Sequence, residues 1–136
     1  MFRLLTLSCA ATLSACVAPP PAAPPGVDLR GTDWHIVAVN GHQTPAQGDY
    51  SMHFGADYSF GAKFGCNSMG GNYTQAGSTL TVTNLRSTLI GCPEPSATFE
   101  SKGSAILGQP MAVSFTSNDR MSLSNAAGTI TLDQVT

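Results

Sequence analysis

The stretch Tyr58-Ser59-Phe60-Gly61-Ala62-Lys63-Phe64-Gly65-Cys66 alternates apolar side chains with small or charged ones. In an extended strand, successive side chains point to opposite faces. Tyr58, Phe60, Ala62, Phe64 and Cys66 therefore share one face, and Ser59, Gly61, Lys63 and Gly65 the other. The same period of two recurs outward from this segment. It runs through Trp34, Ile36 and Ala38, through Tyr50, Met52 and Phe54, and through Leu80 and Val82. It continues through Met111, Val113 and Phe115, Met121 and Leu123, and Ile130 and Leu132. Turn chemistry falls between these runs at Asn40-Gly41, Gly55-Ala56-Asp57, Met69-Gly70-Gly71-Asn72, Gly77-Ser78, Ser117-Asn118-Asp119 and Gly128. Short strands with one apolar face predict a mostly β fold, an antiparallel sheet curled into a small barrel or a sandwich. One segment breaks the alternation: Phe99, Ala105, Ile106 and Leu107 are separated by polar residues, with Pro95 before them and Gly108 after. This spacing predicts one short α-helix over about residues 94–107, which the internal Gly103 weakens by about 1 kcal/mol relative to alanine.

The chain opens with Arg3, an apolar run from Leu4 to Leu13 and then small residues. The run is too short to span a bilayer and reads as a secretory signal peptide. Leu13-Ser14-Ala15-Cys16 resembles a bacterial lipobox. That resemblance implies a signal peptide over residues 1–15, cut before Cys16, and a diacylglycerol on the Cys16 sulfur; the plainer alternative is an ordinary signal with Cys16 as a stray thiol. Two or three acyl chains, each stabilised by about 0.8 kcal/mol per buried methylene, hold a protein at a membrane far more firmly than one. Residues 16–27 are then the lipidated cysteine and a proline-rich tether. Polyproline II at about 3.1 Å per residue gives the tether a reach of roughly 34 Å, although PxxP-like content also occurs in docking ligands. The expected location is the cell envelope, lipid-anchored at the periplasmic face of the outer membrane, and the expected state is monomeric.

Residues 28–136 are one domain's worth of chain. The full sequence carries six basic and eight acidic residues, and only 10% of it is charged. Loss of Arg3 with the signal would leave five basic residues against eight acidic ones. No basic patch exists to attract phosphate, so nucleic acid is not an expected partner. Of the four cysteines, Cys9 lies in the signal and Cys16 carries lipid, which leaves Cys66 and Cys92. In an oxidising compartment these two predict a disulfide closing a loop of about 27 residues, stabilising by roughly 3 to 4 kcal/mol. A metal pair or a reactive thiol is the competing reading, but the pair lacks CxxC spacing and an adjacent third ligand.

Particular residues within this layout match a family. Gly31-Thr32-x-Trp34 opens the domain, Val39-Asn40-Gly41 ends the first strand, and Gly65-Cys66-Asn67 is followed by Gly71-x-Tyr73. Ser87-Thr88, Cys92, a helix containing Glu100 and closing strands through Leu123 and Leu132 complete the series. In order and spacing this resembles the META domain, also called the HslJ-like family, over residues 28–136. The resemblance implies a mostly antiparallel barrel-like domain with one helix, in exported or lipidated envelope proteins linked to heat or antibiotic stress. It carries no catalytic residue set. The chain departs from the family at Ser101-Lys102-Gly103, where a more continuous helical face is expected.

Catalysis needs a nucleophile beside a base and an acid to orient that base. His35 and His53 fall on the outer faces of their strands, His42 follows a turn, and there is no Gly-x-Ser-x-Gly or Ser-x-x-Lys sequence. The reading is therefore not an enzyme, with no cofactor. A metal site from His35, Met52 and His53 fails because Met52 faces inward while the histidines face outward. The Gly31-x-x-Trp34 opening invites comparison with lipocalins, which hold apolar ligands inside a barrel. Here Trp34, Tyr50, Phe54, Tyr58, Phe60, Phe64 and Phe115 are expected to fill the interior. Asn67 reads as a turn residue and Glu100 as a solvated or capping residue, while the Asn72-Tyr73-Thr74 sequon carries no weight in a bacterial lipoprotein. The function expected is a non-enzymatic, membrane-anchored envelope module that binds or stabilises another component. Alternatives are an inhibitor of a secreted protease or lysozyme, or a lipocalin-like binder. Candidate contact loops are residues 41–48 and Asn67, Ser68, Met69, Gly70, Gly71 and Asn72.

Overall fold

The computed structural model describes Cys16 and residues 27–136; residues 1–15 and 17–26, on which the expected signal peptide and most of the expected tether fall, lie outside the described residues. The chain forms β1 (Thr32–Val39), β2 (His42–Gln43), β3 (Tyr50–Phe54), β4 (Ser59–Phe64), β5 (Ser68–Ala76) and β6 (Thr79–Ser87). A single helix α1 (Ser96–Leu107) follows, then β7 (Met111–Ser117), β8 (Arg120–Asn125) and β9 (Gly128–Gln134). All pairings are antiparallel, and all join consecutive strands except β1 with β3 and β1 with β9; the latter closes the barrel. β2 is a short flap on β1, reached through Asn40 and Gly41 at φ 50° and 77°, the left-handed pair a tight two-residue hairpin requires.

The period of two holds in the core. Trp34, Ile36, Tyr50, Met52, Phe54, Phe60, Ala62, Phe64, Leu80, Val82, Met111, Met121, Leu123, Ile130 and Leu132 are all buried. Trp34, Phe54, Phe64 and Tyr73 occupy the barrel interior, with Tyr73 edge-on to Phe54 at 5.2 Å. The opening motif satisfies its own polar atoms: the Trp34 indole donates to Thr32 Oγ1 at 2.8 Å, and Thr32 Oγ1 donates to the Leu29 carbonyl at 2.6 Å.

Two assignments of facing differ from the sequence reading. A register shift between Ile36 and Ala38 turns Val39 inward and leaves Ala38 half-buried. Tyr58 is 47% exposed, because it ends the Gly55–Tyr58 turn at φ 64° and β4 begins one residue later. Phe115 keeps its inward facing but is only half-buried; it packs against the core and meets Trp34 edge-on at 6.1 Å.

The helix begins two residues later than expected and ends where expected, at Leu107. Pro95 is its N-cap and Gly108 its C-cap, while the Glu94 carboxylate accepts the Thr98 N–H at 3.2 Å. Phe99, Gly103, Ile106 and Leu107 form its buried stripe at helical spacing. Gly103 is the contact point, since a Cβ there would enter the Phe64 ring of β4. The glycine that argued against a long helix is what lets the helix lie flat on the barrel.

Candidate functional site

The Gly65-Cys66-Asn67 sequence connects β4 to β5 and builds a polar node against α1. Gly65 sits at φ 93°, and a Cβ there would meet Tyr50 Oη at 2.6 Å and Ser96 Oγ at 2.5 Å. Only glycine turns the chain this way so close to the helix start. Cys66 is bonded to Cys92, with Cα atoms 6.0 Å apart, so the two thiols are joined as expected. Asn67 is 3% exposed, the one buried polar side chain among the described residues. Its Nδ2 donates to Glu100 Oε1 at 2.8 Å, to the Ile90 carbonyl at 3.0 Å and to Cys92 Sγ at 3.2 Å. Its Oδ1 accepts from the Ile90 N–H at 2.8 Å and from Thr88 Oγ1 at 2.9 Å. Its own N–H donates to Glu100 Oε2 at 3.1 Å. Both oxygen lone pairs and both amide hydrogens are used, as burial demands. Glu100 is therefore neither a solvated residue nor a cap; it is the helix's half of this node.

The candidate loop Asn67–Asn72 is corrected by the structure. Asn67 is buried, and Ser68, Met69, Gly70, Gly71 and Asn72 belong to β5, paired with β4 and β6. The paired glycines mark a close approach, not a turn. The β5–β6 register shifts between Gly70 and Asn72, and a Cβ on Gly71 would lie 2.6 Å from the Thr83 carbonyl. What the node does expose is the segment after β6. Leu89 is 94% exposed and Ile90 65% exposed, although Ile90 is held at both backbone groups by Asn67. Thr88 is fixed to Ser68 by its N–H at 3.0 Å, and Ser68 donates back to Thr88 Oγ1 at 3.1 Å. The tip is thus apolar and braced on both sides. A sequence signal existed: Leu89-Ile90 follows β6 directly but falls between polar Thr88 and Gly91.

The histidines lie on the outer face, where the sequence places them. The register sets Ser51, His35 and Asp133 side by side across β3, β1 and β9. Their polar atoms are committed elsewhere: Ser51 Oγ donates to Asp49 at 2.5 Å, and the Asp133 carboxylate takes a two-pronged bond from Arg120. His53 meets Asp33 at 2.6 Å, with both side chains more than half exposed. The Arg120 guanidinium holds the Asp133 carboxyl below its usual range. Cys66, Cys92 and Glu100 converge closely enough to hold an ion, but sulfurs bonded to each other offer no thiolate.

The META domain model matches residues 27–135, and the chain belongs to that family. No curated protein matches the sequence. Two structures solved by NMR share the fold. One has a TM-score of 0.68 at 20% identity, covering 77% of this chain and 90% of its own. The other, from Burkholderia xenovorans, has a TM-score of 0.63 at 18% identity, covering 88% of this chain and 96% of its own.

Proposed function

We propose that this META-domain protein is a non-enzymatic binding module, lipid-anchored through Cys16 at the periplasmic face of the outer membrane and linked to envelope stress. The observation that carries the reading is the braced apolar tip at Leu89-Ile90. Full burial of two such side chains contributes about 2 kcal/mol each, an affinity lost if the loop must first be ordered. The disulfide and Asn67 hold it in place beforehand. The partner is a protein with an apolar pocket. β5 starts at Ser68, beside the tip, and near its other end carries Gln75, whose side-chain amide donates to the Val27 carbonyl where the chain enters the barrel. Seven residues of strand separate these points by roughly 23 Å. With the anchoring membrane on the Val27 side of the domain, the tip lies at the far end of β5. An inhibitor of a secreted hydrolase would use the same tip.

A photoreactive residue at position 89 in the intact envelope tests this. A discrete protein adduct, absent when the same residue is at position 126 and reduced in Asn67→Ala, supports it. Adducts to lipid, or equal adducts at both positions, refute it. Identification of a protease or lysozyme in the adduct would select the inhibitor reading.

A further inference from the structure

A cleft of about 280 Å³ lies between the first half of α1 and the end of β1. Val39, Pro95, Thr98 and Phe99 line it, with His42, Glu94 and Lys102 as its charged or titratable members. Val39 and Phe99 are buried, so its floor is part of the core. It is the most apolar of the surface clefts described, and it lies outside the barrel interior that Trp34, Phe54 and Phe64 occupy.

Its charges are unevenly committed. Glu94 Oε2 accepts from both the N–H and the Oγ1 of Thr98, at 3.2 and 2.8 Å. His42 is tied through Nδ1 to the Asn40 carbonyl at 3.2 Å. Lys102, one turn beyond Thr98 on the helix, forms no ion pair among the described residues. An apolar floor with an unpaired ammonium at its margin matches a ligand with a hydrocarbon body and an anionic head.

We infer that this cleft binds a medium-chain monocarboxylate, its hydrocarbon against Val39 and Phe99 and its carboxylate at Lys102. The volume is at the lower edge of small-molecule sites, about 300 to 1,000 Å³, and suits a ligand of about ten non-hydrogen atoms. For a ligand of that size in an open cleft, the dissociation constant is on the order of 1 mM. The site is independent of the Leu89-Ile90 tip.

Titration of the ¹⁵N-labelled full chain with octanoate, followed by amide shifts, tests the assignment. Saturable shifts should be confined to residues around Val39, His42, Thr98, Phe99 and Lys102. Lys102→Gln should weaken octanoate about three- to fivefold while leaving 1-octanol unchanged, because an exposed ion pair contributes only that much. Thr98→Trp, at an exposed helix position, should fill the cleft and weaken both at least tenfold. No saturable shift below 20 mM octanoate would overturn the inference. So would octanol binding as tightly as octanoate, an unchanged affinity in Lys102→Gln, or shifts centred on the Leu89-Ile90 loop.

Discussion

Replacing Asn67 tests whether the buried node stabilises the fold. Asn67→Ala removes the side-chain bonds to Thr88, Ile90, Cys92 and Glu100. The two Ile90 backbone bonds and the Thr88 bond are neutral and near solvent, at about 0.5 to 1 kcal/mol each. The bond to the Glu100 carboxylate is charge-assisted, at about 1.5 kcal/mol or more. The sum is about 3 to 4 kcal/mol, a large part of the 5 to 15 kcal/mol typical of a domain. Asn67→Asp keeps the shape and replaces the donor facing Glu100 Oε1 by a second carboxylate. Like charges at that separation raise the folded-state pKa of the pair above its unfolded value. The added cost is therefore absent below about pH 4 and grows as pH rises toward 7. Urea unfolding at pH 4 and pH 7 measures both variants. Asn67→Ala should lose about 3 kcal/mol at both, and Asn67→Asp should lose more than Asn67→Ala at pH 7 but recover on acidification. A loss under 0.5 kcal/mol for Asn67→Ala, or a pH-independent loss for Asn67→Asp, would refute the node as a stabilising unit.

Gly103→Ala should destabilise by about 1 to 3 kcal/mol despite alanine's better helix propensity, since the new methyl meets Phe64; a rise in melting temperature would contradict the contact. Reduction of Cys66–Cys92 should lower stability by about 3 to 4 kcal/mol on the loop-closure estimate and increase amide exchange over residues 88–95; unchanged exchange there would show that Asn67 alone holds the loop. Hydrogen bonds and charge from Arg30 lower the Asp28 carboxyl from 3.8 to about 2. That contribution to stability is present above about pH 4 and lost as pH falls to about 2, so Asp28→Asn should flatten the acid limb of the unfolding curve in that window. Cys16→Ser should leave a folded domain that no longer fractionates with membranes; persistence in the membrane fraction would count against lipid anchoring.

The sequence by itself determined the class of fold. Side-chain alternation is a property of extended backbone alone, so Tyr50-x-Met52-x-Phe54 and Phe60-x-Ala62-x-Phe64 declared their inner faces without knowledge of their partners. Cys66 and Cys92 are the two cysteines within the matched domain, and the structure joins them. Local chemistry also placed the Asn40-Gly41 turn and the helix between Pro95 and Gly108.

What only the tertiary structure decided depends on residues far apart in the chain. Gly70-Gly71 is indistinguishable from a turn until β6 shifts register opposite it; the glycines then serve a close approach inside a strand. Gly103 is a helix weakness until Phe64, 39 residues earlier, lies across it. Asn67 and Glu100 are separated by 33 residues, and neither shows in sequence that the other will satisfy it. Period and composition describe one segment against solvent, whereas a buried polar node is defined by which segments meet, and that follows from barrel closure and the seating of the helix.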